Sequence, residues 1–232
     1  MLSRPVESRD PYRIVVFLGS ERGSKKGYLQ IEESKYLELL TKTYKVLYQD
    51  IGEKLGVGRL QFAVRETSSR EKFKRQLTNI RRRSKDTDGI HFMGHGGKEN
   101  DNTCIEVGCE AIDLKSESDR NFFEGLGDGW ILFSCCQIGE DTDSLDRLAK
   151  ISGRTIFAYG FSNNRSHAKD VGSNLLENQA FIVDSLFYHL ALVPSEYFDR
   201  NRNNVTYARI HDRLNKAVEA LAIGAKIHMF SP

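Results

Sequence analysis

Two apolar runs in this chain end abruptly in side chains that could form a nucleophile–base pair. One reads Asp88-Gly-Ile-His-Phe-Met-Gly-His95-Gly96-Gly97, the other Trp130-Ile-Leu-Phe-Ser-Cys-Cys136-Gln-Ile-Gly139. A cysteine attacks as its thiolate, and a nearby histidine is the usual group that populates it. The two partners need not be close in sequence, and here His95 precedes Cys136 by 41 positions. Gly96 and Gly97 would let a substrate backbone approach closely. The amides of Gly96 and Cys136 would together supply two donors for a developing oxyanion. The pattern is that of a hydrolase attacking a carbonyl.

Such a pair needs elements that bring its members to one edge. Continuous apolar runs bounded by Gly and Asp suit strands covered on both faces. If Gly89 to Gly94 and Trp130 to Ser134 are parallel neighbours, His95 and Cys136 emerge side by side at the carboxyl edge, where open α/β sheets bind ligands. Further strands are predicted at Arg13 to Gly19, Leu60 to Val64 and Thr155 to Tyr159, after a polar lead-in over residues 1–12. A long helix is predicted with Tyr36, Leu40, Tyr44, Leu47, Ile51 and Leu55 on one face, and an amphipathic one with Phe73, Leu77 and Ile80. Thr103 to Val107 and Ala111 to Leu114 read as a hairpin across Gly108-Cys-Glu. Phe122, Phe123 and Leu126 read as a short helix ending at Gly127. Asp143 or Ser144 is expected to cap a helix carrying Leu145, Leu148 and Ile151 that stops at Gly153. A mostly apolar helix from about Leu175 to Leu192 and a final one carrying Val205, Ala208, Leu214, Val218 and Leu221 complete the prediction. Alternating strands and helices argue for an α/β fold with a mostly parallel central sheet and helices on both faces, as a single domain over residues 13–232.

The two motifs resemble the caspase-like cysteine peptidases, most of all the bacterial CHAT (caspase and HEAT-repeat-associated) branch. That branch typically shows a histidine–glycine after one apolar strand and Ser-Ala-Cys-x-x-Gly after the next. The order and spacing of His95 and Cys136 are also similar to the caspase arrangement, with its histidine roughly 50 residues upstream. The resemblance implies a caspase-like three-layer sandwich and a cysteine endopeptidase working through a Cys–His dyad. Aligning Ser134-Cys135-Cys136 on Ser-Ala-Cys, with Gly139 at the Cys-x-x-Gly spacing, makes Cys136 the nucleophile, His95 its base and Cys135 a small buried neighbour. Cys135 stands where the family has alanine, which leaves the choice between the two cysteines open. The Gln-Ala-Cys-Arg-Gly signature of animal caspases is absent, so their preference for aspartate is not carried over, and no third catalytic residue can be named. The resemblance further implies a regulated, defence-type proteolytic pathway, with a protein substrate and activation by another protein or an upstream protease.

The acidic loop after the nucleophile, with Glu140, Asp141 and Asp143, points by charge complementarity to a basic P1 side chain. The equally open reading is a solvated loop with helix-capping acids. The polar loop from Phe161 to Gly172, including Ser162, is expected to flank the substrate cleft. From Arg65 to Lys85 nine basic residues face two acidic ones, a pattern that fits either a solvated helix face or a docking patch of a non-catalytic caspase-fold module. No aromatics interleave for base stacking, so nucleic acid is not expected as a partner. His91, His95, Cys104 and Cys109 make a zinc-bound structural domain conceivable, but their spacing matches tight cysteine pairs poorly, so no metal or cofactor is expected.

At 232 residues, 39% hydrophobic and 28% charged, with a net charge of +2, the composition is that of an ordinary globular protein rather than a polyanion binder. Four cysteines, two of them adjacent, do not make a disulfide framework and suggest a reducing compartment. The first residues lack the apolar core of a secretory signal. The apolar stretch around Phe181 to Val193 is interrupted by Asp184 and His189, so a cytoplasmic protein is expected.

Overall fold

The computed structural model describes residues 12–19, 60–83, 87–99, 102–108, 110–135, 137–159, 211–212, 215–216 and 227–232. Several expectations lie outside them: the helix of Tyr36 to Leu55, the loop holding Ser162, the helix of Leu175 to Leu192, most of the final helix, and residues Cys109 and Cys136.

Six strands form the main sheet: β1 (Tyr12–Gly19), β2 (Leu60–Thr67), β3 (Gly89–Met93), β7 (Trp130–Ser134), β8 (Thr155–Tyr159) and β9 (Ile227–Phe230). Their order is β2-β1-β3-β7-β8-β9; all neighbours are parallel except β8 and β9, which are antiparallel. Parallel strands of one sheet are joined by crossovers. Helix α1 (Arg70–Arg82) makes the one from β2 to β3, and α3 (Thr142–Ser152) the one from β7 to β8. A second sheet of three antiparallel strands, β4 (Gly96–Glu99), β5 (Asn102–Val107) and β6 (Glu110–Asp113), is inserted between β3 and β7. It is followed by a single turn, α2 (Glu117–Arg120), and a 3-10 turn over Asn121–Phe123. The α/β class with a mostly parallel sheet is therefore as the sequence predicts.

One face of the main sheet packs against α1, α3 and the 121–123 turn. Phe73 of α1 sits at its centre, with ring centroids 5.2 Å from Phe17 and 5.8 Å from both Phe92 and Phe123, in edge-on contacts. Leu77, Ile80, Leu145 and Leu148 join the same core, as do Ile105, Val107 and Ile112 of the small sheet. On the opposite face Val16, His91, Leu132 and Phe157 are also fully buried, and the ring of His211 stacks on Phe157. Burial on both faces is why these strands are continuously apolar rather than alternating.

Two polar devices fix the sheet. At its amino edge the buried guanidinium of Arg154 donates to the carbonyls of Thr87 (2.8 Å) and Leu126 (3.0 Å) and reaches that of Trp130 (3.4 Å), so the entries to β3, β7 and β8 share one donor set. At the β9 edge the carboxamide of Asn215 accepts from the Ile227 N–H at 3.0 Å and donates to its carbonyl at 3.2 Å. That satisfies backbone groups an edge strand would otherwise present.

Several boundaries differ from expectation. Tyr12 belongs to β1, paired with Leu60, rather than to a lead-in. β2 continues to Thr67, so Arg65 is a strand residue and not part of a basic helix. β4 and β9 had no prediction: Gly-Gly-Lys-Glu has poor strand propensity, and β9 is only four residues long. No helix among the described residues is long and apolar enough to cross a membrane.

Candidate active site

β3 and β7 are parallel neighbours, and each β3 residue faces the β7 residue 41 positions further on, from Gly89↔Trp130 to Met93↔Ser134. His95 follows β3 by two residues, and Cys135 follows β7 directly, so both motifs leave the sheet at its carboxyl edge. The strand order reverses between β1 and β3, so the switch-point crevice, where open α/β sheets bind ligands, borders β3 on the side away from β7. The 41-residue register is also the separation of His95 and Cys136 in sequence.

The motifs pack against each other. A Cβ on Gly96 would lie 2.8 Å from the Cβ of Cys135, 2.9 Å from the carbonyl oxygen of Cys104 and 3.0 Å from Cδ1 of Ile138. Only glycine fits this contact without displacing its neighbours. Cys135 is buried in the core, the position the resemblance gives to a small neighbour of the nucleophile. His95 is half-buried, and its carbonyl accepts from the Glu106 N–H at 2.9 Å. That bond makes His95 and Glu106 a hydrogen-bonded antiparallel pair, so the next pair, Gly96↔Ile105, is a non-bonded one. The Gly96 N–H consequently points away from β5, toward the outer edge of β4, and is not spent on the ladder.

On the β7 side the chain turns sharply. Gln137 has φ 58° and ψ 3°, the only left-handed non-glycine among the described residues. It leads into a 3-10 turn over Ile138–Glu140, and α3 begins at Thr142. Left-handed non-glycine residues are uncommon and concentrate at functional turns. The Gln137 carboxamide reaches toward Gly97, with Oε1 3.7 Å from where a Cβ would stand. Cys136, between Cys135 and Gln137, lies outside the described residues, and so does Ser162.

The acidic loop divides. Asp141 is the N-cap of α3, two residues before the predicted Asp143 and three before Ser144. One carboxylate oxygen accepts from the Ser144 N–H at 3.2 Å and the other from the Thr103 hydroxyl at 2.6 Å. Partial burial works to raise its pKa, but the bonds from Thr103 and Ser144 and the charge of Lys115 outweigh it and hold the carboxyl below its ordinary value. Of its two sequence readings, Asp141 performs the helix-capping one, and it ties β5 of the small sheet to the turn after Gln137. Glu140 and Asp143 are exposed.

His91 is fully buried, four residues before His95, and its Nε2 lies 2.7 Å from the Ser134 hydroxyl. It joins β3 to the residue where β7 ends, a link whose only local signal is a histidine in an apolar run. Among the described residues no three His, Cys, Asp or Glu side chains are grouped to hold a metal ion, and neither Cys104 nor Cys135 is in a disulfide.

The basic run splits as well. Arg70 pairs with the buried Asp119 and lies over the Phe122 ring, which Lys74 also covers, while Arg81 donates to the carbonyls of Asn121 and Phe122. These three cations fasten α1 to the segment before β7.

Compared with known proteins, the chain matches no family model and no curated protein sequence.

Proposed function

We propose that the chain is a cysteine endopeptidase of the caspase-like, CHAT type, with the corresponding three-layer fold. The observation that carries this reading is the meeting of the two motifs at one sheet edge: β3 and β7 in a 41-residue register, with Gly96 against Cys135. In this reading the Cys136 thiol gives its proton to His95, and the sulfur attacks the scissile carbonyl. The Gly96 and Cys136 amides hold the oxyanion as it forms. His95 then protonates the departing amine, and water cleaves the thioester, regenerating the thiol. The outward amide of Gly96 and the tight left-handed turn at Gln137 both favour it: one offers a donor, the other ends a strand in a strained corner of the kind that exposes a nucleophile.

The substrate is a protein, and a basic P1 residue now rests on Glu140 and Asp143, with Asp141 occupied by its cap. Activation by a partner protein or upstream protease, a defence pathway and a cytoplasmic setting belong to the same proposal. The alternative of a docking module using the basic helix is weakened by Arg70, Lys74 and Arg81, which bind within the chain.

The test is cleavage of a fluorogenic peptide panel with acidic, basic and apolar P1 residues. Wild type runs beside Cys136→Ala, His95→Ala and Cys135→Ala. Activity lost in the first two variants and kept in the third supports the dyad. Activity surviving Cys136→Ala overturns it, and loss confined to Cys135→Ala moves the nucleophile by one residue. If wild type is silent, His95-dependent labelling of Cys136 by a peptidyl acyloxymethyl ketone, read by mass spectrometry, replaces turnover. Failure to label sinks the reading.

A further inference from the structure

We infer that a cleft between β1, β2 and the C-terminal half of α1 binds a small polyphosphate, free or carried on a nucleoside. The cleft measures about 670 Å³ and is lined by Arg13, Arg65, Arg82 and Arg83 with the carboxamides of Gln76 and Asn79. That volume lies within the roughly 300–1,000 Å³ typical of small-ligand sites. Arg13, the second residue of β1, and Arg82, the last of α1, lie toward the amino ends of the strands, away from the His95 edge, while Arg65 lies further along β2.

Charge and shape select the ligand. Four arginines from three different elements line the cleft, and no described aspartate or glutamate is among its lining residues; Arg65 also donates from Nη1 to the Val64 carbonyl at 3.0 Å, and the Asp88 carboxylate accepts from the Arg13 N–H at 2.9 Å. Guanidinium forks match phosphate oxygens two at a time, and several together suit an anion with several charges rather than a single carboxylate. The cations of α1 that serve packing, Arg70, Lys74 and Arg81, point to Phe122 and its neighbours instead. Arg82 and Arg83 are exposed and free of that duty.

Nucleic acid is the poorer fit: the aromatic ring lining the cleft is Phe17, which is fully buried and offers no face for base stacking. A bland role for Arg82 and Arg83, complementing the negative end of the α1 dipole, predicts stability without binding.

Calorimetric titration of the whole chain with ATP and with inorganic tripolyphosphate at low salt decides between them. The proteins are wild type, Arg82→Ala/Arg83→Ala, and Arg147→Ala as an exposed arginine on α3. One-to-one saturable binding is expected for wild type and Arg147→Ala, weakened about tenfold or more in the double variant. Tripolyphosphate binding as tightly as ATP identifies the phosphate chain alone as the ligand; ATP binding tighter adds a nucleoside contact. A second variant, Arg65→Ala/Asn79→Ala, tests the site from another wall should the first fail to fold. The proposal is overturned if neither compound binds saturably or if both cleft variants bind as wild type does. It is overturned equally if a single-stranded oligonucleotide binds through the same arginines about tenfold tighter than either polyphosphate.

Discussion

Gly96 and Cys135 meet with no room for a methyl group between them: a Cβ on Gly96 would stand 2.8 Å from that of Cys135. This contact couples the residue after His95 to the residue before Cys136. The position of one motif is thereby a boundary condition for the other, across two sheets and a 41-residue register.

Gly96→Ala therefore has a specific expected cost. The added methyl meets Cys135, the Cys104 carbonyl and Ile138 at 3.0 Å or less, two of them parts of buried core. Overpacking of this kind costs about 1–3 kcal/mol. Gly97→Ala is the control, because its Cβ would make only an ordinary 3.7 Å contact with Gln137; its effect should stay within about 0.5 kcal/mol. Urea midpoints of the two variants measure both. Equal stabilities would mean the motifs are not in contact as described.

Asp141 supplies a pH-dependent prediction. Its carboxyl is held below its ordinary value despite partial burial, by Thr103, Ser144 and Lys115. A depressed folded-state pKa gives stability that is fully present above the unfolded value, about 3.9, and is lost as pH falls through the lower folded value. Asp141→Ala should cost about 1 kcal/mol at neutral pH through the lost cap. Its deficit relative to wild type should be flat from neutrality down to about pH 4 and shrink below that. Thr103→Val should reproduce part of the loss. Urea unfolding across this pH range checks it, and a deficit that grows on acidification would contradict the assignment.

The parts of the fold legible in the sequence are those with an unambiguous local signal. Gly89 to Met93 and Trp130 to Ser134 are apolar on both faces, so their strand character and their shared edge followed from the residues. The stripe of Phe73, Leu77 and Ile80 and the stop at Gly153, which adopts φ 73°, were equally plain. β4 was hidden because Gly96 and Gly97 have no side chains to alternate; their pairing with Ile105 and Cys104 is imposed by the hairpin beside them. Asp141, Asp143 and Ser144 are all good caps by type, so local sequence does not single out Asp141 as the cap of α3. Thr103, far away in sequence, is what engages Asp141. Of the cleft arginines, Arg65, Arg82 and Arg83 are visible only as part of a charge run and Arg13 not at all, since which cations face Phe122 and which line the cleft depends on tertiary packing.

The last prediction concerns the strands that carry the site. Gly89 and Trp130 are register partners at the start of β3 and β7, and a Cβ on Gly89 would fall 2.1 Å from Cζ2 of the indole. Trp130 is 1% exposed, so the ring has nowhere to retreat. Gly89→Ala should destabilise the chain by about 3 kcal/mol or more, beyond ordinary overpacking, because the clash lies in the centre of a parallel sheet. Trp130→Leu should also be destabilising through lost burial. The double variant should be more stable than the sum of the two losses predicts, since the smaller side chain removes the clash. A coupling of about 1 kcal/mol or more is the expected signature. Trp130 is the only tryptophan of the chain, so its emission follows unfolding of Gly89→Ala at this contact; circular dichroism follows the two variants that lack the indole. Strict additivity in this cycle would separate Gly89 from Trp130 and, with them, the register that sets His95 beside the end of β7.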